Sequence, residues 1–298
     1  MQTTLVTAEW LKVQSAEEIM IFDATYFLPT MGRDGRSEYN KAHIPGAVFF
    51  DIDGIKDEAS DLPHMIPSAQ HFQDVMQNLG LKAGQQVVVY DNSPFLSSAR
   101  AWWMLRFFGH QAVAVLDGGG RSWKAAGGTL TDKVFDLPKG TFQAGASAKA
   151  DMITFDELEQ AVRAGLADQI VDARAADRFT GIAPEPRPGL RAGHIPGSLN
   201  LPISNILDNV TGKLKPADEL SQLFAEAGLV MEQPAVTTCG SGVTAAGLTL
   251  ALAVLGKTDI RLYDGSWSEW GATDAPIEPQ LNKAKQFSET QVNDPKSG

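Results

Sequence analysis

Three short strings recur in this chain at nearly constant spacing, and that duplication limits what the chain can fold into. Ala42-His43-Ile44-Pro45-Gly46-Ala47 is answered by Gly193-His194-Ile195-Pro196-Gly197-Ser198, and Asp23-Ala24 by Asp172-Ala173. Asp117-Gly118, followed by Trp123, is answered by Asp264-Gly265, followed by Trp270, so that all three pairs are offset by 147 to 151 residues. A repeat of that length is too long for a solenoid; in 298 residues it means two tandem copies of one domain. In each copy short β-branched runs (19–23, 87–90 and 113–116; 170–172, 235–238 and 260–263) alternate with helix-like segments (69–79 and 98–108; 154–164, 217–227 and 243–255). The alternation predicts an α/β fold class, with each copy a mostly parallel β-sheet flanked by helices on both faces. The expected division is a first domain over 1–135, a linker over 136–150 where apolar periodicity fades, a second domain over 151–280, and a polar tail over 281–298.

The second constraint is chemical. Cys239 is the one cysteine, so no intrachain disulfide can form, and the thiol is either an inert buried side chain or a working one. It directly follows the apolar run 234–238 and precedes Gly240-Ser241-Gly242-Val243-Thr244, where an all-apolar helix begins. Such a turn lies at the carboxyl edge of a parallel sheet, where ligand sites form. Its glycines let backbone N–H groups curl inward, and the helix start adds positive dipole, so the loop favours a thiolate and points to a nucleophile. The equivalent residue of the first copy is Asp91, which leaves that copy without a nucleophile.

Charge narrows the partners. Twenty-five basic residues against 36 acidic ones give a net charge of −11, and no basic run stands against that field, so neither nucleic acid nor an anionic membrane is an expected partner. The apolar stretch 245–255 falls well short of the ~20 residues a membrane helix needs. Met1-Gln2-Thr3-Thr4-Leu5-Val6 has no leader character, so a cytoplasmic location is expected. Five histidines without close-spaced ligand pairs predict no metal, and nothing in the chain calls for a cofactor.

The paired His-Ile-Pro-Gly motifs, the loop 239–244, and Tyr263-Asp264-Gly265-Ser266-Trp267-Ser268-Glu269-Trp270-Gly271 together resemble the tandem-domain rhodanese-like sulfurtransferases over almost the whole chain. The resemblance implies two rhodanese domains, an active cysteine only in the second, and a substrate cleft at the domain interface. Thiosulfate enzymes of the family resemble Cys-Arg-Lys-Gly-Val-Thr at the loop; the neutral loop here resembles the 3-mercaptopyruvate branch. The implied activity is transfer of sulfur from 3-mercaptopyruvate, through a cysteine persulfide, to a thiol acceptor such as thioredoxin, or to cyanide, with release of pyruvate. By the same resemblance Cys239, Ser241, His64 and Asp53 are catalytic. Arg178 and Arg187 hold the carboxylate and ketone, and Gly240, Gly242, Val243 and Thr244 complete the substrate loop.

His43, His194, Asp23, Asp172, Trp123 and Trp270 occur in motifs shared with the copy lacking a nucleophile and are read as fold residues; Arg191 is read as solvated. Three other functions compete with this one. A thiosulfate sulfurtransferase is disfavoured by the missing loop cations, and a cysteine phosphatase by Ala245, which stands where a phosphate-binding arginine would. A non-catalytic sulfur carrier or scaffold module predicts ordinary cysteine reactivity and no turnover.

Overall fold

The apolar runs become the central strands of two five-stranded sheets. The computed structural model describes residues 3–14, 18–145 and 151–278; the tail 281–298 and part of the linker, 146–150, lie outside them. The first sheet contains β1 (Leu5–Val6), β2 (Ile19–Asp23), β3 (Ala47–Phe49), β4 (Gln86–Tyr90) and β5 (Val113–Leu116) in the order β1-β5-β4-β2-β3. The second contains β6 (Met152–Ile153), β7 (Gln169–Asp172), β8 (Leu199–Asn200), β9 (Ala235–Thr238) and β10 (Ile260–Tyr263) in the order β6-β10-β9-β7-β8. Every pairing in both sheets is parallel. The two orders match strand for strand, as a duplication requires. The edge strands β1, β3, β6 and β8 are two or three residues long, too short to leave a periodic trace in the sequence.

The first domain carries α1 (Ala8–Lys12), α2 (Gly35–Lys41), α3 (Ala69–Asn78), α4 (Ser98–Phe107) and α5 (Gly119–Ala125). The second carries α6 (Phe155–Ala164), α7 (Ala176–Phe179), α8 (Ala217–Glu226), α9 (Val243–Val254) and α10 (Ser266–Trp270). Thr154 and Glu157 form a capping box that starts α6. Helix α9 is apolar on nearly every face because it is covered on every face: it packs on β9 and β10 and against α4 of the first domain. One apolar core therefore runs through both domains, from Phe72, Val89 and Trp103 to Ile206, Val243 and Leu250. None of the described helices is long and apolar enough to cross a membrane.

The duplicated Asp-Gly turns join the domains reciprocally. Asp264 of the second domain accepts the Ile66 N–H at 2.6 Å, and Asp117 of the first accepts the Leu214 N–H at 2.9 Å. Each domain thus catches a backbone amide of the other with the same motif.

The stretch 140–145 is bound to the first domain although its composition reads as linker. Gly140 donates to the Gln77 carbonyl at 2.7 Å, and the Thr141 and Phe142 amides both reach the Leu81 carbonyl at 3.0 Å. The Phe142 ring, 2% exposed, meets Phe72 and His110, each at 5.9 Å between centroids. Phe142→Ala opens a cavity in this core and is expected to cost about 3–5 kcal/mol of unfolding free energy. Val134→Ala, at an exposed neighbouring position, is expected to cost less than about 0.5 kcal/mol. Urea unfolding curves of the two variants check the difference.

Candidate active site

Strand β9 delivers Cys239 to the carboxyl edge of the second sheet, and α9 begins four residues later. Gly242 makes the turn with φ +79°, and a Cβ there would lie 2.9 Å from the Asp264 carbonyl oxygen, so glycine is required on both counts. The first-turn amides of α9, Val243 and Thr244 among them, have no acceptor within the helix, and Gly242 at the N-cap has no side chain to cap them.

The turn 264–268 holds this loop from the other side. Ser266 Oγ accepts the N–H groups of Cys239 and Gly242, each at 3.1 Å, donates to the Tyr263 carbonyl at 2.9 Å, and lies 3.9 Å from Cys239 Sγ. Trp267 N–H reaches the Cys239 carbonyl at 3.0 Å, and the Ser268 N–H and hydroxyl both reach the Gly240 carbonyl, at 2.9 and 2.6 Å. Ser266 occupies left-handed backbone, φ +52°, where the first copy has Gly119 at φ +54°. A serine held in a glycine conformation signals that its hydroxyl is used. The aligned motifs of the two copies contain that signal, but Ser266 and Ser268 are not among the residues expected from the sequence.

The residues expected to act as a relay come together across the domain interface. His64 Nδ1 lies 3.1 Å from Ser241 Oγ, and His64 Nε2 lies 2.8 Å from Asp53 Oδ1. His64 and Ser241 are buried, whereas the Asp53 side chain is 69% exposed. With Nε2–H donating to the carboxylate, Nδ1 accepts from the serine hydroxyl, so the ring joins Ser241 to the solvent side. The Tyr26 ring meets His64 edge-on at 5.1 Å. Burial, and next the Asp53 charge, push its phenol up to about 12, so it stands as a neutral wall beside the relay.

The two predicted arginines reach the same loop by different means. Arg178, 22% exposed, donates to the buried Glu185 carboxylate at 2.6 Å, and its guanidinium lies 3.2 Å from where a Cβ on Gly240 would be. Glu185 also holds Arg174 at 2.9 Å, which in turn pairs with Asp172. Glu185 was not among the expected residues; a lone acid between two prolines gave no motif. Arg187 touches Ser268 Oγ at 3.4 Å and has no carboxylate partner among the described residues. Arg191 is not solvated as its composition context suggested. It is half-buried and donates to the carbonyls of Trp270, Gly271 and Ala275, because the chain after α10 turns back across it.

The paired histidines have matching structural surroundings. His43 stacks on Tyr39 at 4.0 Å and bonds the Tyr39 and Lys133 carbonyls; His194 stacks on Phe179 at 3.8 Å and bonds the Phe179 carbonyl and Glu278. At the Asp91 position of the first copy, the carboxylate accepts from the Ser97 amide and hydroxyl and from the Ser98 hydroxyl, and also bonds Ser93.

Comparison with known proteins gives the same duplication. The family described as Rhodanese-like domain matches twice, over residues 7–126 and 154–273. The 3-mercaptopyruvate sulfurtransferase of Escherichia coli (strain K12) is 44% identical over 282 residues, covering 93% of this chain and 98% of that protein. The enzyme of the same name from Mus musculus is 42% identical over 89% of this chain and 91% of its own length. Among solved structures, SseA from Escherichia coli, described with the fold and catalytic mechanism of 3-mercaptopyruvate sulfotransferases, aligns with a TM-score of 0.79 at 41% identity, covering 90% of this chain and all of that one. Tum1 from Saccharomyces cerevisiae aligns with a TM-score of 0.85 at 31% identity, covering 93% of this chain and 98% of that one. Two matched domains, two parallel sheets of corresponding strand order and a cysteine loop in the second copy agree in one conclusion: the chain belongs to the rhodanese family.

Proposed function

We propose that this protein is a 3-mercaptopyruvate sulfurtransferase whose second domain carries the nucleophile and whose first domain completes the site. The observation that carries the reading is Cys239 in a neutral, amide-lined loop, with His64 and Ser241 beside it and one uncompensated arginine, Arg187, at its rim. The charges of Arg174 and Arg178 are balanced locally by Asp172 and Glu185. Arg187 then matches a substrate with a single carboxylate, while Arg178 offers directional donors without net attraction. A doubly charged inorganic ion would be under-neutralised here.

The Cys239 thiolate attacks the substrate sulfur. The carbon–sulfur bond breaks, and its electron pair passes to the carbon as an enolate conjugated with the ketone, whose oxygen the arginines stabilise. A proton arriving through Ser241, His64 and Asp53 converts the enolate to pyruvate. Cys239 keeps the sulfur as a persulfide, held by the loop amides. A thiol acceptor, in the cell a dithiol protein of the thioredoxin kind, attacks the outer sulfur and releases the thiolate, which gives ping-pong kinetics. A cytoplasmic location fits such an acceptor.

Four experiments test this reading. Exposure to 3-mercaptopyruvate alone should leave the protein heavier by one sulfur atom in intact mass spectrometry. Cys239→Ser should show neither that mass nor turnover, and substantial residual transfer by the variant would sink the scheme. Arg187→Gln removes a charge-assisted bond worth about 1.5–3 kcal/mol and should weaken kcat/KM for 3-mercaptopyruvate roughly ten- to hundredfold. The paired change Gly240→Arg with Ser241→Lys adds two loop cations and should shift preference toward thiosulfate, read as the ratio of kcat/KM for the two donors.

A further inference from the structure

Both Asp-Gly turns catch an amide of the opposite domain, but only one is backed by an arginine. Asp117 accepts from Leu214, and although Lys213 of the second domain lies near enough to act on its charge, no ion pair to Asp117 forms among the described residues. Asp264 accepts from Ile66 and, in addition, from Arg100 Nη1 on α4 at 2.6 Å. Arg100 is 1% exposed and Asp264 2%. Burying a guanidinium and a carboxylate is a poor route to stability, since desolvation of both ions offsets their attraction and an apolar pair of similar volume often does as well. The first copy's turn manages without the ion pair, so its presence in the second needs another cause.

The second nitrogen of Arg100 supplies one. Nη2 donates to the carbonyl oxygen of His64 at 2.5 Å. His64 sits at φ +61°, a left-handed conformation uncommon for a residue with a side chain, which persists only where its surroundings enforce it. Three bonds close a ring: Arg100 to His64, Arg100 to Asp264, and Ile66 to Asp264. They grip the chain on both sides of Met65. The same pair abuts the cysteine loop, because a Cβ on Gly242 would meet the Asp264 carboxylate at 2.9 Å and Arg100 Nη1 at 3.1 Å. One buried ion pair therefore touches both the segment bearing His64 and the loop bearing Ser241, whose side chains meet although 177 residues separate them.

We infer that Arg100 is a positioning residue of the relay: the Arg100–Asp264 pair sets His64 Nδ1 against Ser241 Oγ. The copy without a nucleophile thereby supplies both the relay histidine and the arginine that aims it, and the other copy supplies the carboxylate that holds the arginine. The inference rests on the relay reading proposed above.

The test is a double-mutant cycle in the full-length protein, using Arg100→Lys, His64→Gln and their combination. Lysine keeps the charge but loses the planar fork that reaches two oxygen atoms at once. Arg100→Lys should lower kcat with 3-mercaptopyruvate about 10- to 100-fold through misplacement of the ring. KM should stay within about twofold, since Arg178 and Arg187 are untouched. In the His64→Gln background the same change should cost less than about twofold. The double variant R100L/D264N, which leaves no unpaired ion, guards against simple unfolding: it should melt near the wild-type temperature and still lose kcat.

An equal loss in both backgrounds, a raised KM at unchanged kcat, or full activity in R100L/D264N overturns the inference and leaves the sulfurtransferase reading standing. A His64→Gln enzyme running at the wild-type rate removes the relay and the inference together. A wild-type protein that forms no persulfide from 3-mercaptopyruvate removes the activity as well.

Discussion

Arg100 and Asp264 meet at 2.6 Å in the interface between the domains, out of reach of water. Charges in that position have few tolerable arrangements, because breaking the pair leaves an uncompensated ion in an apolar core. Any sliding of one domain over the other would break it. The apolar packing of α4 on α9 supplies the affinity between the domains, but apolar contact is non-directional and would accept several registers. The ion pair, with the Ile66 and Leu214 amides on the two Asp-Gly turns, selects one. That register fixes where His64 of the first domain, bonded to Asp53, meets Ser241 of the second domain's cysteine loop.

The two copies use one framework for different ends, and the divergence lies in a few side chains at the sheets' carboxyl edges. In the second copy Cys239 directly follows β9, and the Cys239 and Gly242 amides of its loop are held by the Ser266 hydroxyl. In the first, Asp91 stands at the cysteine's position and its own carboxylate takes the Ser97 amide together with the Ser97 and Ser98 hydroxyls. The donors that would hold an external anion there are satisfied from within. The Ser266 and Gly119 pair shows the same divergence in the backbone. Both lie near φ +50°, but only the active copy accepts the strain of a side chain there, and its hydroxyl gathers the Cys239 and Gly242 amides.

Much of this was legible in the sequence, and the reasons differ by residue. The duplication was plain because glycine, proline and histidine at turns repeat as identities, and the central strands because buried parallel strands read as continuous apolar runs. Cys239 stood out as the one cysteine at a strand-to-helix turn. His64 and Asp53 could be named only through resemblance, since nothing local marks a histidine whose partner is 177 residues away. Arg100 and Glu185 were missed for a related reason. Arg100 lies within the apolar helix segment 98–108, where an arginine reads as an interruption, and Glu185 lies in a proline-stiffened loop. Each acquires its partners only from the tertiary fold. Arg191 was misread because carbonyl acceptors, unlike carboxylates, leave no charge pattern in a sequence.

The balance of charge around the loop explains how a protein with net charge −11 can host an anion. Long-range attraction is unavailable, so the site depends on donors close to the reacting atoms. Arg178 is fixed by Glu185 and contributes geometry, because its charge is already offset by the carboxylate it grips. Arg187 contributes charge, because no carboxylate among the described residues offsets it. The division separates two demands that conflict in a single side chain, since a strongly held arginine is precise but neutralised, and a free one attracts but wanders. Ser268 ties them together: its hydroxyl donates to the Gly240 carbonyl beneath Arg178 and accepts from Arg187 at the longer distance of 3.4 Å. In the proposed reaction a carboxylate at Arg187 would lie against the turn that holds the Cys239 loop. The spacing of charge, rather than its amount, then sets which anion fits.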